Sequence, residues 1–148
     1  MQMYDHNRTT PHLSLVIPVY NGGKRMRANL DQVQRFLAAQ SYHSELALVD
    51  AGNAEAGAKA LREFAACHPA VTLIRNETNR GKGFSVTRGM LAAGGAYRVF
   101  TDADLAFPLA EVNRILCDLE TGADVAIACR VLAESRYLMS PTYFHYLY

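Results

Sequence analysis

Apolar positions along this chain alternate between two kinds of run. Leu13–Val19 (LSLVIPV) is short, continuous and rich in β-branched residues, the pattern of a strand buried on both faces. Beyond the turn Tyr20-Asn21-Gly22-Gly23 the apolar residues Met26, Leu30, Val33, Phe36 and Leu37 recur at spacings of three and four, with Lys24, Arg25, Asp31 and Arg35 between them. That period predicts an amphipathic helix. The pair then repeats. Residues 46–49 (LALV) predict a second strand that ends at Asp50-Ala51-Gly52-Asn53, and Asn53 stands where it can cap a helix with Ala60, Leu61, Phe64 and Ala65 inward. Residues 71–74 predict a third strand, 82–93 a third helix and Tyr97–Phe100 a fourth strand. Pro108 suits the first turn of a fourth helix that buries Val112, Ile115, Leu116 and Leu119 and ends at Gly122; residues 125–128 predict a fifth strand.

Five strands alternating with four helices across short turns make an α/β fold, a mostly parallel sheet flanked by helices on both faces. At 148 residues the chain holds one domain, and its half-apolar, one-fifth-charged composition excludes fibrous, coiled-coil and wholly disordered classes. Fifteen basic residues against fourteen acidic ones leave +1, and no basic stretch is interleaved with aromatics, so nucleic acid is not an expected partner. The cysteines Cys67, Cys117 and Cys129 are odd in number and lack CxxC spacing, which reads as reduced core thiols in a cytosolic protein. Residues 1–11 form a polar tail carrying Asp5 and Arg8, without the apolar stretch of a signal peptide. No apolar run reaches the length of about eighteen residues needed to cross a bilayer, so the expected protein is soluble or peripheral.

Sheets of this kind bind ligands beyond the carboxyl ends of their strands. The residues there carry the candidate chemistry. Asp102-Ala103-Asp104 directly follows the strand Tyr97–Phe100, and alternate residues of extended backbone point the same way. Two carboxylates so placed repel unless a cation, a proton or solvent intervenes, and hard divalent cations such as Mg²⁺ take one or two carboxylates together with phosphate oxygens. Between Arg75 and Arg98 lie five basic residues and a single acid, Glu77, whereas the stretch from Asp102 to Asp124 has six acids and a single base, Arg114. A basic loop beside an acidic strand end suits a diphosphate, and Lys82, Arg88, Asp102 and Asp104 are the residues placed for it. Gly81-Lys82-Gly83-Phe84-Ser85-Val86 also invites a dinucleotide reading, with Asp102 as the ribose acid, but Val86 replaces the third glycine and residues 76–80 separate the strand from Gly81. There is no G-x-S-x-G, and His6, His12, His43, His68 and His145 lack metal-ligand spacing.

In order along the chain, Val16-Ile17-Pro18-Val19-Tyr20-Asn21, Leu48-Val49-Asp50-Ala51-Gly52-Asn53, Asn79-Arg80-Gly81-Lys82-Gly83, Arg88-Gly89-Met90 and Phe100-Thr101-Asp102-Ala103-Asp104-Leu105-Ala106 with Pro108 resemble family 2 glycosyltransferases of the GT-A fold, a Rossmann-related architecture. Within that family the likeness is to the polyprenyl- and dolichyl-phosphate glycosyltransferases, the phosphoglucosyl-lipid type in particular. The resemblance implies a nucleotide-sugar donor, UDP-glucose or GDP-mannose, bound with Mg²⁺ or Mn²⁺, and a lipid-phosphate acceptor met at the cytoplasmic membrane face. It assigns Pro18, Tyr20 and Asn21 to the nucleoside pocket, Asp50 to the base, Asp102 to the ribose and metal, and Asp104 to the metal on the diphosphate. Lys82 and Arg88 would steady the donor, and Arg130 would contact phosphate. The chain departs from the family pattern where Gly22-Gly23 replaces an acidic pair, Ala51 a second aspartate and Asn53 a serine.

The expected organisation is therefore a tail over 1–11, a nucleotide-sugar-binding domain over 12–130, and an aromatic segment over 131–148. Tyr137, Tyr143, Phe144, Tyr146 and Tyr148 crowd that last segment, which reads as the interrupted start of an acceptor half, suited to a lipid surface or, left uncovered, to a homodimer. The leading expectation is an inverting, metal-dependent hexosyl transfer. A non-catalytic or truncated donor-binding module and a nicotinamide-dependent oxidoreductase are the alternatives.

Overall fold

The computed structural model describes residues 10–23 and 25–129. Arg130, the aromatic segment and most of the polar tail lie outside the described residues. Four parallel strands, β1 (Leu13–Val19), β2 (Ser44–Asp50), β3 (Val71–Arg75) and β4 (Tyr97–Phe100), form one sheet in the order β3-β2-β1-β4. The helices between and after them are α1 (Met26–Ala38), α2 (Glu55–Ala66), α3 (Lys82–Ala92) and α4 (Ala110–Glu120).

β1 is the centre of the sheet, and its alternation divides the core. Leu13, Leu15, Ile17 and Val19 are fully buried with Leu46 and Leu48 of β2 beneath α1, α2 and α4, which contribute Leu30, Val33, Leu61, Phe64, Val112 and Leu116. Val16, Ala47 and Val49 point to the opposite face, where α3 covers them with Met90 and, just past its end, Ala93. A strand buried on both faces reads as an unbroken apolar run, which is why β1 was legible. Its one polar residue, Ser14, is fully buried and satisfied: its hydroxyl donates to Glu45 Oε1 at 2.6 Å and accepts the Gly95 N–H at 2.8 Å.

Three expectations change. Residues 125–128 join no ladder, and Val125 and Ile127 are 79% and 83% exposed. An apolar run records a preference for burial, whereas a strand also needs a neighbour to take its backbone hydrogen bonds. Cys67, Cys117 and Cys129 are exposed rather than in the core: Cys67 caps the C-terminus of α2 and Cys117 lies on the outer side of α4. Pro108 precedes α4 rather than opening it, its carbonyl accepting the Glu111 N–H at 3.0 Å. Gly122 does end α4, at φ 110°, with its own N–H bonded to Leu119 O and that of Ala123 to Asp118 O. That pair of bonds is a Schellman ending.

α3 lies close against the sheet because it carries Gly89 at the contact. A Cβ there would collide with Val16 Cγ1 and sit 2.8 Å from Val49 Cγ2, both on buried β-branched side chains with little freedom to move. In an exposed helix Gly→Ala stabilises by about 1 kcal/mol. Here Gly89→Ala is expected to destabilise by about 1–3 kcal/mol through overpacking, seen as a lower midpoint in urea denaturation. A raised midpoint would show that α3 can lift from the sheet without loss.

Candidate functional site

The chain leaves β1 to one side to build β2 and β3, then crosses back to place β4 on the other side of β1. The connections therefore diverge between β1 and β4, and an open α/β sheet places its crevice beyond the strand ends at such a point. A cleft of about 400 Å³ lies there, within the range of small-molecule sites. Three chain turns make its walls.

The first wall follows β1. Pro18, Tyr20 and Asn21 line the cleft; Tyr20 is 50% exposed and Asn21 has a left-handed φ of 49°. Asn53 fixes this turn. Its Oδ1 accepts the Asn21 N–H at 2.8 Å, while its Nδ2 donates to Val19 O at 2.7 Å and Asp50 Oδ1 at 2.8 Å. The expected cap is thus a different device: α2 begins after Ala54 with no side-chain cap, and the Asn53 amide is spent on tying β1 to β2. Gly22 also has a packing reason, since a Cβ there would lie 2.8 Å from Sδ of Met26 at the start of α1.

Asp50 stands behind this wall rather than in the cleft. It is 1% exposed, its Oδ1 accepts the N–H groups of Gly52 and Asn53, and its Oδ2 faces Arg75 Nε at 3.7 Å. Ala51 is the residue of that turn that reaches the cleft. Arg88 likewise does not come to the cleft: its guanidinium donates to Arg75 O at 2.6 Å and Asn76 Oδ1 at 2.7 Å, bracing the end of β3. Asn76 is itself buried and bonded onward to Ser85 Oγ at 2.9 Å. Two residues expected at the site are therefore parts of its frame.

The second wall is the loop from Asn76 to Lys82, where Asn79, Gly81 and Lys82 line the cleft and Asn79 Oδ1 accepts the Gly81 N–H at 2.8 Å. The third wall follows β4. Thr101 keeps the strand's direction by donating its N–H to Val16 O, after which Asp102, Ala103 and Asp104 turn into the cleft. Asp104 Oδ1 accepts the Ala106 N–H at 3.0 Å, and Leu105 takes a left-handed φ of 54° with its N–H on Asp102 O. Asn29 of α1 donates to Ala103 O at 2.9 Å, tying the first wall's helix to the third. Lys82 Nζ lies 2.6 and 2.9 Å from the two carboxylate oxygens of Asp102.

The structure thus gathers Pro18, Tyr20, Asn21, Lys82, Asp102 and Asp104, and adds Asn29 and Asn79, which the sequence reading did not single out. Asn79 sat unweighed inside the quoted Asn79-Arg80-Gly81 segment; Asn29 gave no signal, being one polar residue on a helix. Among the described residues no three His, Cys, Asp or Glu side chains converge to hold a metal ion by themselves. Two carboxylates that open onto a shared cleft suit a hard divalent cation that takes its remaining oxygens from a bound ligand and water.

Residues 14–138 match the model of Glycosyl transferase family 2. The chain belongs to that family. It is 32% identical over 111 residues to a dolichyl-phosphate beta-glucosyltransferase of Dictyostelium discoideum, covering 70% of this chain and 34% of that protein. It is 29% identical over 151 residues to the mouse dolichyl-phosphate beta-glucosyltransferase, covering 91% of this chain and 46% of that one. Among solved structures, a mannosyltransferase from Pyrobaculum calidifontis in complex with GDP-Man and Mn²⁺ superposes with a TM-score of 0.58 at 27% identity, over 71% of this chain and 31% of that one. The chain spans about 30–46% of the length of the curated relatives it matches. The oxidoreductase alternative falls with this assignment: Gly81 heads α3 at the end of a loop rather than in a tight strand-to-helix turn, and Asp102 is paired with Lys82.

Asn53→Ala would take the partner from the Asn21 N–H, while the Val19 carbonyl would keep the Ala51 N–H. It is expected to cost about 1–3 kcal/mol in urea denaturation, the cost of one buried polar group left unpaired. An unchanged midpoint would mean that water replaces the amide.

Proposed function

We propose that this chain provides the donor site of an inverting hexosyl transfer, from UDP-glucose or GDP-mannose with Mg²⁺ or Mn²⁺ to a polyprenyl or dolichyl phosphate presented at a membrane's cytoplasmic face. The observation that carries this reading is the convergence of Asp102, Asp104 and Lys82 on one cleft with Tyr20 and Asn21, in a chain of family 2 whose relatives act on dolichyl phosphate by name.

In this reading Tyr20 offers an exposed aromatic face, and Pro18 and Asn21 a fixed edge, to the nucleoside. Asp102 and Asp104 hold the cation. A divalent ion there supplies positive charge to the departing diphosphate, where negative charge develops as the sugar–phosphate bond breaks. Lys82 and the open backbone at Gly81 and Gly83, where an added Cβ would meet nothing within 4 Å, leave room for phosphate at the start of α3. Asp50 and Arg88 hold the walls at fixed spacing. An acceptor phosphate is already ionised near neutral pH, so direct attack on the anomeric carbon, with inversion, requires no general base. Arg130 remains our candidate for a phosphate contact. Among the described residues no helix is long and apolar enough to cross a membrane, and the acceptor is what would bring the protein to one.

A second reading is a donor-binding module without turnover, since each cleft residue named above is assigned to the donor or its cation. Transfer of labelled hexose to dolichyl phosphate in detergent separates the two: product supports the enzyme, and donor binding without product supports the module.

Calorimetric titration with UDP-glucose and GDP-mannose, each with Mn²⁺ and with chelator, is expected to give chelator-sensitive binding of one donor. Asp104→Ala is expected to weaken that binding at least about tenfold while its denaturation midpoint moves by less than about 1 kcal/mol, because its single backbone hydrogen bond is exposed. Equal donor affinity in the folded variant would remove Asp104 from the site.

A further inference from the structure

Resting on the donor-site reading above, we infer that Lys82 is the internal counter-ion of Asp102, holding the cation position until a divalent ion displaces it and then passing to the donor diphosphate. Lys82 thereby sets the metal affinity of the free protein and couples metal binding to donor binding.

The two carboxylates at the cleft are not equivalent. Both oxygens of Asp102 lie within 2.9 Å of Lys82 Nζ, whereas Asp104 makes no ion pair among the described residues and only accepts the Ala106 N–H. A cation entering the cleft finds Asp104 available and Asp102 engaged. It gains the second carboxylate only by removing the ammonium, because two positive charges at one carboxylate repel.

Lys82 is also poorly placed for its own helix. It is the first residue of α3, where the partial positive charge of the helix N-terminus disfavours a cation, and no acid lies in that first turn. Asp102 supplies the missing anion from the end of β4. A diphosphate would supply it equally well, and the faces of Gly81 and Gly83 are open to its approach. The exchange conserves charge pairing. Before it, the ammonium faces Asp102 and the divalent ion faces diphosphate in solution; after it, the ion faces Asp102 and Asp104 and the ammonium faces diphosphate. Lys82 and Asp102 are 59% and 38% exposed, so their pair is easily opened and adds little to folding. A merely structural bridge between α3 and β4 would therefore leave metal affinity unchanged when removed, or lower it through loosening of the loop.

Mn²⁺ titration followed by the electron paramagnetic resonance of free Mn²⁺, on the full chain without nucleotide, tests this. Lys82→Met is expected to bind Mn²⁺ about two- to fivefold more tightly than wild type, and Lys82→Arg, which keeps the pair, to stay within about twofold of it. Calorimetry with UDP and GDP at saturating Mn²⁺ is expected to show at least about tenfold weaker nucleotide binding in Lys82→Met, the loss of a charge-assisted contact. Placed on Asp102→Asn, Lys82→Met is expected to give no further gain in Mn²⁺ affinity. Unchanged or weaker Mn²⁺ binding by Lys82→Met, or a gain that persists with Asp102→Asn, would overturn the counter-ion role while leaving the donor site standing. No Mn²⁺ binding by wild type at millimolar ion would overturn both.

Discussion

The amide of Asn53 joins the two strand ends on which the cleft depends. One oxygen and one nitrogen hold the Asn21 turn, the last carbonyl of β1 and the buried carboxylate of Asp50 together, all at 2.7–2.8 Å. Because β1 is also the strand beside β4, fixing its end fixes Tyr20 and Asn21 relative to Asp102 and Asp104 across the crevice. Asn29 makes the closing tie by binding Ala103 O from α1. These are polar contacts among short side chains and backbone, so the geometry is stiff, and in the proposed transfer that stiffness would reduce the reorganisation needed as charge develops.

Much of the fold was legible because β1 and β4 are bounded by sharp changes in polarity, and their predicted limits coincide with the observed ones. β2 begins two residues earlier than its apolar run, at Ser44 and Glu45. Glu45 is polar for a reason no local pattern shows: its Oε1 accepts the Ser14 hydroxyl and the Gly94 N–H from segments 31 and 49 residues away. Residues 125–128 have the same apolar character as true strands but take no place in the sheet, since pairing depends on a neighbour's backbone and not on the run itself.

The site was legible where residue type alone decides and illegible where orientation does. Asp102, Asp104, Lys82, Tyr20 and Asn21 follow strand ends and reach the cleft. Asp50 and Arg88 follow the same rule in position, yet the Asp50 side chain turns into its own loop and Arg88 turns back to β3. Asn53 has the chemistry of a helix cap and was read as one. The Asn21 N–H, the Val19 carbonyl and Asp50 Oδ1 take up the same amide instead, and the Val19 carbonyl accepts from it in addition to the Ala51 N–H.

The positions where this chain departs from its family have a common electrostatic consequence. Gly22 and Ala51, two positions where the resemblance leads one to expect acids, both line the cleft. At Gly22 a Cβ would lie 2.8–2.9 Å from side-chain atoms of Met26, which would have to shift to admit it. Among the described residues the charged lining is Lys82 against Asp102 and Asp104, a net negative of one before any cation arrives. Such a cleft repels a diphosphate weakly, and one divalent ion is enough to reverse its sign. With acids at 22 and 51 as well, the same ion would leave the cleft still negative by one charge. In the proposed transfer, a lining without those acids lets a single cation both admit a diphosphate and hold it, because the field that remains is set by the ion, Lys82 and the two carboxylates.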